Sequence, residues 1–190
     1  MTRRAEQVGE TRQRIVDAAV HLHGTVGPAA TSIAAIADRA GVTRLTVYRH
    51  FPDDTALFTA CSQDWLARHP LPRPDQWAQI ADPAERLRAG LADLYRFYRA
   101  GARMIALIHR DFDAVPAPIR EARQAGERQQ ADVLASAFAD SGRRQRRMRR
   151  ALAAHAAAFT TWRSLCEEQG LTEEEAVAAM TALVTALPAN

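Results

Sequence analysis

The most constraining feature of the sequence is a pair of short apolar repeats, separated by one glycine, in residues 31–51. Apolar residues recur at three- and four-residue steps before Gly41 and again as far as Phe51, which is the spacing of a helix with one buried face. Gly41 can adopt the left-handed conformation that ends a helix. Hydroxyl residues that can cap a helix N-terminus precede the repeats: Thr31, Ser32 and Thr43. The pattern predicts two short helices joined by a turn.

The second of these helices, over residues 43–51, has an outer face of hydroxyl, basic and aromatic side chains. Val47 and Phe51 turn inward with Val42, which leaves seven residues facing outward: Thr43, Arg44, Leu45, Thr46, Tyr48, Arg49 and His50. In a helix-turn-helix unit the second helix lies in the major groove of DNA. We therefore expect this face to contact double-stranded DNA.

The expected contacts follow from the chemistry of each side chain. Arg44 can donate two hydrogen bonds to O6 and N7 of a guanine, Leu45 can contact a thymine methyl, and Thr46 can contact a base or a sugar. Donors suited to phosphate oxygens lie on both helices: Thr31, Ser32, Tyr48 and His50. The backbone N–H groups at the start of the first helix of this pair, near residue 33, can bind a phosphate in the same way.

These residues resemble the N-terminal signature of the tetracycline-repressor (TetR) family of bacterial transcription regulators. The resemblance includes "RIVDAAVHL", "TSIAAIADRAGVTRLTVYRHF" and "ALF", and so covers about residues 12–58. It implies that residues 43–46 face the bases and that Tyr48 and His50 hold the DNA backbone. It also implies repression relieved by a small apolar or amphipathic ligand, which moves the fourth helix and changes the separation of the two recognition helices. Activation of transcription is the alternative.

The chain departs from the usual pattern of this family at four positions. Family members often have an aromatic residue in place of His23 and, in place of Asp54, a lysine near a phosphate. Leu45 stands where a small residue is common, and we expect it to narrow the base preference or to tilt the helix. Family members often have a longer polar side chain in place of Ala34. These departures bear on affinity and target sequence.

The composition favours helix throughout the 190-residue chain, because Ala is the commonest residue and aromatics are only 6%. We expect an all-α protein of about nine helices, with a helix-turn-helix DNA-binding domain over residues 1–69 and an effector-binding and dimerisation bundle over residues 76–190. Three prolines in residues 70–77 predict a linker between them.

The glycines and capping residues of the C-terminal part predict where its helices begin and end. One helix is expected to end near Gly101, and an uninterrupted helix is expected from Met148 to Gly170. Thr172 and Glu175 form a T-x-x-E capping box at the start of the last helix.

The last two predicted helices carry small residues that could approach a partner across a two-fold axis. They form two faces: Ala153, Ala157 and Thr160 on the first helix, and Ala178, Ala182 and Ala186 on the second. A single short recognition helix binds DNA too weakly by itself, so we expect a homodimer through the last two helices. Its two-fold symmetry predicts a near-palindromic DNA operator.

The resemblance implies that the C-terminal helices enclose a mostly apolar cavity for an unknown small-molecule effector. The candidate lining residues, for which a place in the core is the first interpretation and a place in the pocket the second, are Trp65, Tyr95, Tyr98, Met104, Ile108, Phe112, His155, Phe159 and Trp162. His155 is a polar ring in an apolar stripe, and such a residue is more often a hydrogen-bonded core histidine. Among the candidates it is nevertheless the favoured ligand contact, because it lies beside Phe159 and Trp162.

Arginine supplies every basic side chain other than histidine, and six arginines and no acid occur in "GRRQRRMRR" at residues 142–150. This segment lies away from the recognition helix in the sequence. We interpret it as a solvated, salt-bridged loop, with an additional DNA or effector contact as the alternative.

No Ser-His-Asp set, glycine-rich phosphate loop or paired-carboxylate motif is recognisable, so we expect neither an enzyme nor a cofactor. His109 and Asp113 could be two ligands of a metal, but a surface ion pair is the preferred interpretation. Two isolated cysteines, the lack of a long apolar segment and the lack of an apolar N-terminal leader predict a cytoplasmic protein without membrane contact. The remaining alternative is an all-α metal- or ligand-binding bundle with an enzymatic or partner-docking role.

Overall fold

The computed structural model describes residues 2–138 and 142–187, and every regular element in these two stretches is helical. They contain ten α-helices: α1 (Thr2–Thr25), α2 (Ile33–Ala40), α3 (Arg44–His50), α4 (Asp54–Ala67), α5 (Pro74–Trp77), α6 (Pro83–Arg110), α7 (Ala117–Ala135), α8 (Arg143–Ala156), α9 (Phe159–Trp162) and α10 (Glu173–Thr185). Short 3₁₀ turns follow α1 and α6, at Pro28–Ala30 and Phe112–Ala114, and a π-helical turn at Arg163–Glu168 follows α9. The all-α fold class is confirmed.

The helices form two compact units. The first comprises Met1–His69 and Gly101–Ala122, and the second comprises Pro70–Ala100 and Arg123–Asn190. The units are therefore not continuous in sequence, because both α6 and α7 contribute to each of them.

The first four helices share one apolar core. Its buried residues include Ile15, Val16, Ala19, Ile36, Ala37, Val47, Phe51, Leu57 and Cys61. Burying a large aliphatic side chain stabilises a fold by about 1.5–3 kcal/mol. His23 is buried as well, with its ring centroid 4.5 Å from that of Phe58, and this burial lowers its pKa to about 4. His23 is therefore neutral at pH 7 and occupies an aromatic position of the core.

α6 is one continuous helix of 28 residues, whereas the sequence predicted a helix end near Gly101. The reason for this glycine is a close contact: a Cβ atom added to Gly101 would lie 2.6 Å from the ring of Trp65. Gly101 thus allows α4 to approach the backbone of α6. The prediction was wrong because a glycine that permits close packing has the same local signature as one that ends a helix.

The helix predicted from Met148 onward is interrupted between α8 and α9, although neither proline nor glycine occurs there. The hydroxyl of Tyr95 donates a hydrogen bond to the carbonyl of Ala156 at 2.9 Å, and the hydroxyl of Tyr98 donates to that of Ala157 at 2.6 Å. These bonds satisfy carbonyls at the end of α8 that no intrahelical N–H reaches. The interruption is therefore a tertiary effect that helical periodicity could not predict.

The arginine run is the first half of α8, and the expectation of a solvated loop is wrong. α8 begins at Arg143, and Arg149 is only 3% exposed. The guanidinium of Arg149 donates to the carbonyls of Val184 and Leu187, at 3.2 and 3.3 Å, and lies 4.0 Å from the centroid of the Phe138 ring. A cation with several donors stabilises the C-terminal end of a helix, where carbonyls lack partners and the dipole is negative.

The small residues expected at a dimer interface differ in exposure. Ala153 and Ala157 are 0% and 7% exposed, so they pack inside the second unit and the expectation that they face a partner is wrong. The other members of the two faces are exposed: Thr160, Ala178, Ala182 and Ala186. The error arose because a stripe of small residues is compatible with close packing inside a chain as well as between chains.

Candidate nucleic-acid interface

α2, α3 and the turn between them form a helix-turn-helix. The hydroxyl of Ser32 accepts a hydrogen bond from the N–H of Ala35 at 3.2 Å, and the hydroxyl of Thr43 accepts one from the N–H of Thr46 at 3.2 Å. Gly41 lies between the helices in the left-handed region, with φ 65° and ψ 40°. The predicted N-caps at Ser32 and Thr43 are therefore confirmed, and they fix the start of each helix. The left-handed conformation of Gly41 is confirmed as well, and it ends α2.

α3 is anchored by one face and presents the other to solvent. Val47 is fully buried, whereas Leu45 is 70% and Tyr48 51% exposed. Three of the remaining predicted contact residues are exposed, namely Thr43, Arg44 and Arg49. Two are half-buried, namely Thr46 and His50. Side chains four residues apart lie in one row on a helix, so Arg44 and Tyr48 form one row beside Leu45 and Arg49.

The hydroxyl groups near the start of α2 differ in the hydrogen bonds they can still make. The hydroxyl of Thr31 donates its proton to the carbonyl of Gly27 at 2.8 Å. The hydroxyl of Ser32 acts as an acceptor towards the N–H of Ala35, so its own proton remains available to a phosphate oxygen. We therefore expect Ser32 to contribute more to phosphate binding than Thr31.

Two residues at the end of α6 hold the turn that precedes α2, and the sequence did not predict this role. Arg110 donates to the carbonyl of Val26 at 2.7 Å, and the carboxylate of Asp111 accepts a hydrogen bond from the N–H of Ala29 at 3.1 Å. Arg110 and Asp111 also form an ion pair at 2.7 Å, whose hydrogen bond holds the pKa of Asp111 below its usual range. Gly27 has a φ of 93° in this turn, which favours glycine.

The nine residues predicted for the effector site fall in both units. Trp65, Met104, Ile108 and Phe112 belong to the first unit, and the other five to the second. In the second unit, Phe159 lies 5.5 Å from Tyr98 and 5.5 Å from Trp162 between ring centroids, and Tyr95 lies 6.4 Å from Tyr98. His155 is exposed and is not part of this aromatic cluster. The cluster is therefore formed by Tyr95, Tyr98, Phe159 and Trp162.

The buried indole Nε1 of Trp162 finds no hydrogen-bond partner among the described residues. An open groove of about 460 Å³ lies elsewhere on the second unit and includes none of the nine predicted residues. Its lining consists of Ala125, Arg128, Gln129, Asp132, Val133, Ser136 and Arg150.

Within the described residues, no three His, Cys, Asp or Glu side chains are grouped so that they could hold a metal ion. None of the helices in residues 2–138 and 142–187 combines the length and the apolar character needed to cross a membrane.

Two capped helices joined by a left-handed glycine define the class of helix-turn-helix proteins, and comparisons with known proteins show which family this part of the chain resembles. Residues 15–61 match the family described as bacterial regulatory proteins, tetR family. The HTH-type transcriptional regulator AcrR of Shigella flexneri is 45% identical over 60 residues, which are 31% of this chain and only 28% of that relative. The likeness to the tetR family of bacterial regulatory proteins is thus shown for the helix-turn-helix part of the chain.

Solved structures of two bacterial proteins have a similar fold. NalD, the secondary repressor of the MexAB-OprM multidrug efflux pump in Pseudomonas aeruginosa, superposes with a TM-score of 0.65 and 22% identity, covering 95% of this chain and 96% of NalD. The TetR family transcriptional regulator PfmR from Thermus thermophilus superposes with a TM-score of 0.61 and 18% identity, covering 90% of this chain and 96% of PfmR. The likeness therefore extends through the C-terminal helices.

Proposed function

We propose that this chain is a sequence-specific DNA-binding transcriptional regulator whose α3 enters the major groove. The observation that carries this proposal is the orientation of α3: Val47 is fully buried, while Arg44, Leu45 and Tyr48 are exposed on a helix with capped and fixed ends. Arg44 lies in the first turn of α3, where recognition helices contact base edges. The match of residues 15–61 to the tetR family includes α2 and α3 and supports the same conclusion.

The contacts divide into base recognition and backbone positioning. We assign base contacts to Thr43, Arg44, Leu45 and Thr46, and phosphate contacts to Ser32, Tyr48 and His50, with Thr31 and Arg49 at the margin of the interface. Phosphate contacts set the position of the protein on the duplex but carry no sequence information directly, whereas contacts to base edges do. Loss of Arg44 should therefore alter selectivity, and loss of Tyr48 should not.

The functional form in this proposal is a homodimer through the last two helices. Large apolar side chains are exposed on both, with Met148 on α8 39% and Leu183 on α10 41% exposed. Small exposed residues continue the surface of α10, namely Ala178, Ala182 and Ala186. The two recognition helices would then enter major grooves about 34–36 Å apart, or a multiple of that distance, on a near-palindromic operator.

We also propose that a small apolar or amphipathic ligand releases the regulator from its operator. The unpartnered Nε1 of Trp162 gives the aromatic cluster a donor for a polar atom of such a ligand. α6 runs without a break from Tyr98 in this cluster to Arg110, which holds the turn before α2, so a shift of α6 would act on the helix-turn-helix. Emptying an operator requires a ligand that prefers one state by roughly a hundredfold to ten-thousandfold, about 3–5.5 kcal/mol.

The proposed role is cytoplasmic and involves no catalytic step. Regulation by this protein would rest on binding equilibria alone, namely those for DNA, for a second copy and for the effector.

Selection of genomic fragments bound by the purified full chain tests the proposed function. The wild-type protein should enrich short near-palindromes with half-sites one turn of DNA or a multiple apart. Arg44→Ala should lose this enrichment, whereas Arg128→Ala, which removes an exposed arginine from α7, should keep it. Recovery of fragments without a common sequence by the wild-type protein would refute sequence-specific regulation.

A further inference from the structure

In the second unit, α8 and α10 form an antiparallel pair. Near the start of α8, the buried Arg149 binds the carbonyls of Val184 and Leu187 at the end of α10. At the other end of the pair, the N–H of Leu171 donates to the carbonyl of Leu165 at 3.0 Å in the turn that leads into α10. The start of α8 and the end of α10 therefore lie together, and so do the π-helical turn after α9 and the start of α10.

Charge divides this helical pair into two ends of opposite sign. Residues 143–150 contain six arginines and no acid, whereas residues 166–175 contain five glutamates and no basic residue. Arg149 is buried as a cap and Arg150 pairs with Asp132 of α7, but other charged residues at both ends are exposed. We call Arg143, Arg144 and Arg147 the basic end, and Glu167 and Glu174 the acidic end.

The charges of these two ends are not compensated within the described residues of the chain. In residues 2–138 and 142–187, no ion pair or hydrogen bond joins a side chain of the basic end to an acid, or a side chain of the acidic end to a base. The basic end also occupies the first turns of α8, where the positive end of the helix dipole disfavours cations, and Gly142 provides no side-chain cap. The helix dipole therefore disfavours the charges of the basic end.

We propose that the basic end of one copy docks against the acidic end of a second copy, so that α8 and α10 pair antiparallel across the two-fold axis. This inference rests on the proposed homodimer and adds its orientation and its electrostatic basis. A two-fold axis perpendicular to the helical pair places opposite charges together at both ends, whereas an axis along the pair places like charges together. Charge complementarity at an interface fixes orientation and suppresses the wrong arrangement.

The middle of the helical pair is compatible with this arrangement. The junction of α8 and α9 lies about midway in sequence between the basic end and Glu167 of the acidic end, so the axis would pass near this junction. The exposed residues of this region include three small ones, Ala151, Ala154 and Thr160, which allow helices to approach closely, and the larger His155. The exposed Met148 lies between them and the basic end and can be buried by the partner.

A charge-swap experiment on the full chain tests this orientation. Dimer dissociation is measured by sedimentation equilibrium at low salt for wild type, for R144E/R147E, for E167R/E174R and for an equimolar mixture of the two variants. Each variant alone should dissociate at least about tenfold more readily, because every attractive pair becomes repulsive in both symmetric copies. The mixture should recover near wild-type affinity, because opposite charges again meet in the heterodimer.

Two further sets of variants separate the proposal from general effects of charge and folding. R88E/R128E makes the same change in net charge at exposed arginines of α6 and α7 and should leave dimer dissociation unchanged. The neutral variants R144Q/R147Q and E167Q/E174Q should weaken the dimer by a smaller factor, and high salt should reduce all these differences. Helical content measured by circular dichroism verifies that each variant is folded.

Several outcomes overturn the proposal, and they are distinguishable. A monomeric wild-type chain would overturn both the homodimer and this inference. A wild-type dimer that is insensitive to R144E/R147E, or a mixture that fails to recover, would overturn the inference and leave the homodimer intact. Loss of DNA affinity in R144E/R147E with unchanged dimer dissociation would instead make the basic end a DNA contact.

Discussion

α3 carries two arginines and the first eight residues of α8 carry six, yet we assign the DNA-binding role to α3. The arginines of α3, Arg44 and Arg49, are both exposed on a helix whose ends are capped. Those of α8 have several different environments: Arg149 is a buried cap, Arg150 pairs with Asp132, and others are exposed. The two helices therefore differ in the number of their arginines and also in the environments of those side chains.

The difference shows why counting basic residues is a poor guide to a DNA interface. Positive charge attracts the phosphate backbone whatever its arrangement, but reading a base requires a donor at a fixed place on an element that enters a groove. α3 has such a frame, because Thr43 caps its start and Val47 anchors its inner face. In α8 the positive charge serves the packing of α10 and, in our proposal, the docking of a second copy.

Substitution of the buried arginine should have the largest effect. Arg149→Ala removes two hydrogen bonds to carbonyls of α10 and the contact with the Phe138 ring. We expect the free energy of unfolding to fall by about 2–4 kcal/mol, measured by urea denaturation. Arg88→Ala, at an exposed arginine of α6, should change it by less than about 0.5 kcal/mol. Similar losses for the two variants would show that Arg149 is not a structural cap.

The DNA affinity of matched arginine variants tests the contrast between α3 and α8. Arg44→Ala should weaken binding to the selected operator by about 1–3 kcal/mol, because a bidentate contact to a base is lost. Arg143→Ala, which removes an exposed arginine of α8, should weaken it by less than about 0.5 kcal/mol at protein concentrations that keep the dimer intact. Fluorescence anisotropy with labelled duplexes gives both values. An equal loss for Arg143→Ala would mean that α8 also contacts DNA.

A smaller and uniform effect is expected for the phenol of Tyr48. Tyr48→Phe removes one hydroxyl, which in our proposal donates to a phosphate, so binding to every sequence should weaken by about 1 kcal/mol. The ratio of affinities for operator and unrelated DNA should stay the same. A change in that ratio, measured by competition with unlabelled duplexes, would place Tyr48 against a base.

The helix-turn-helix could be predicted from sequence because its determinants are local. Ser32 and Thr43 cap the helices that follow them, and Gly41 adopts the left-handed conformation that ends α2. The capping box of Thr172 and Glu175 is confirmed for the same reason. Each of these features depends on residues within a few positions of one another, so the pattern of the sequence is sufficient.

The C-terminal unit was harder to predict because its determinants are distant in sequence. The hydroxyls of Tyr95 and Tyr98 donate hydrogen bonds to Ala156 and Ala157, where the helix is interrupted, from about 60 positions away in sequence. The local sequence pattern does not indicate this interruption. The periodicity of the sequence did not indicate that Arg149 is buried while the other five arginines of residues 143–150 are exposed. The effector-site residues stay a prediction, because their grouping depends on this tertiary structure.

The central claim is that Arg44 on α3 contacts a specific base, and one measurement tests it directly. Affinities of the wild-type protein and of Arg44→Ala are determined for a set of duplexes in which each base pair of the selected operator is replaced in turn. Arg44→Ala should lose discrimination between bases at one pair of symmetry-related positions and keep it at all others. An unchanged profile, with the same loss of affinity on every duplex, would contradict the claim.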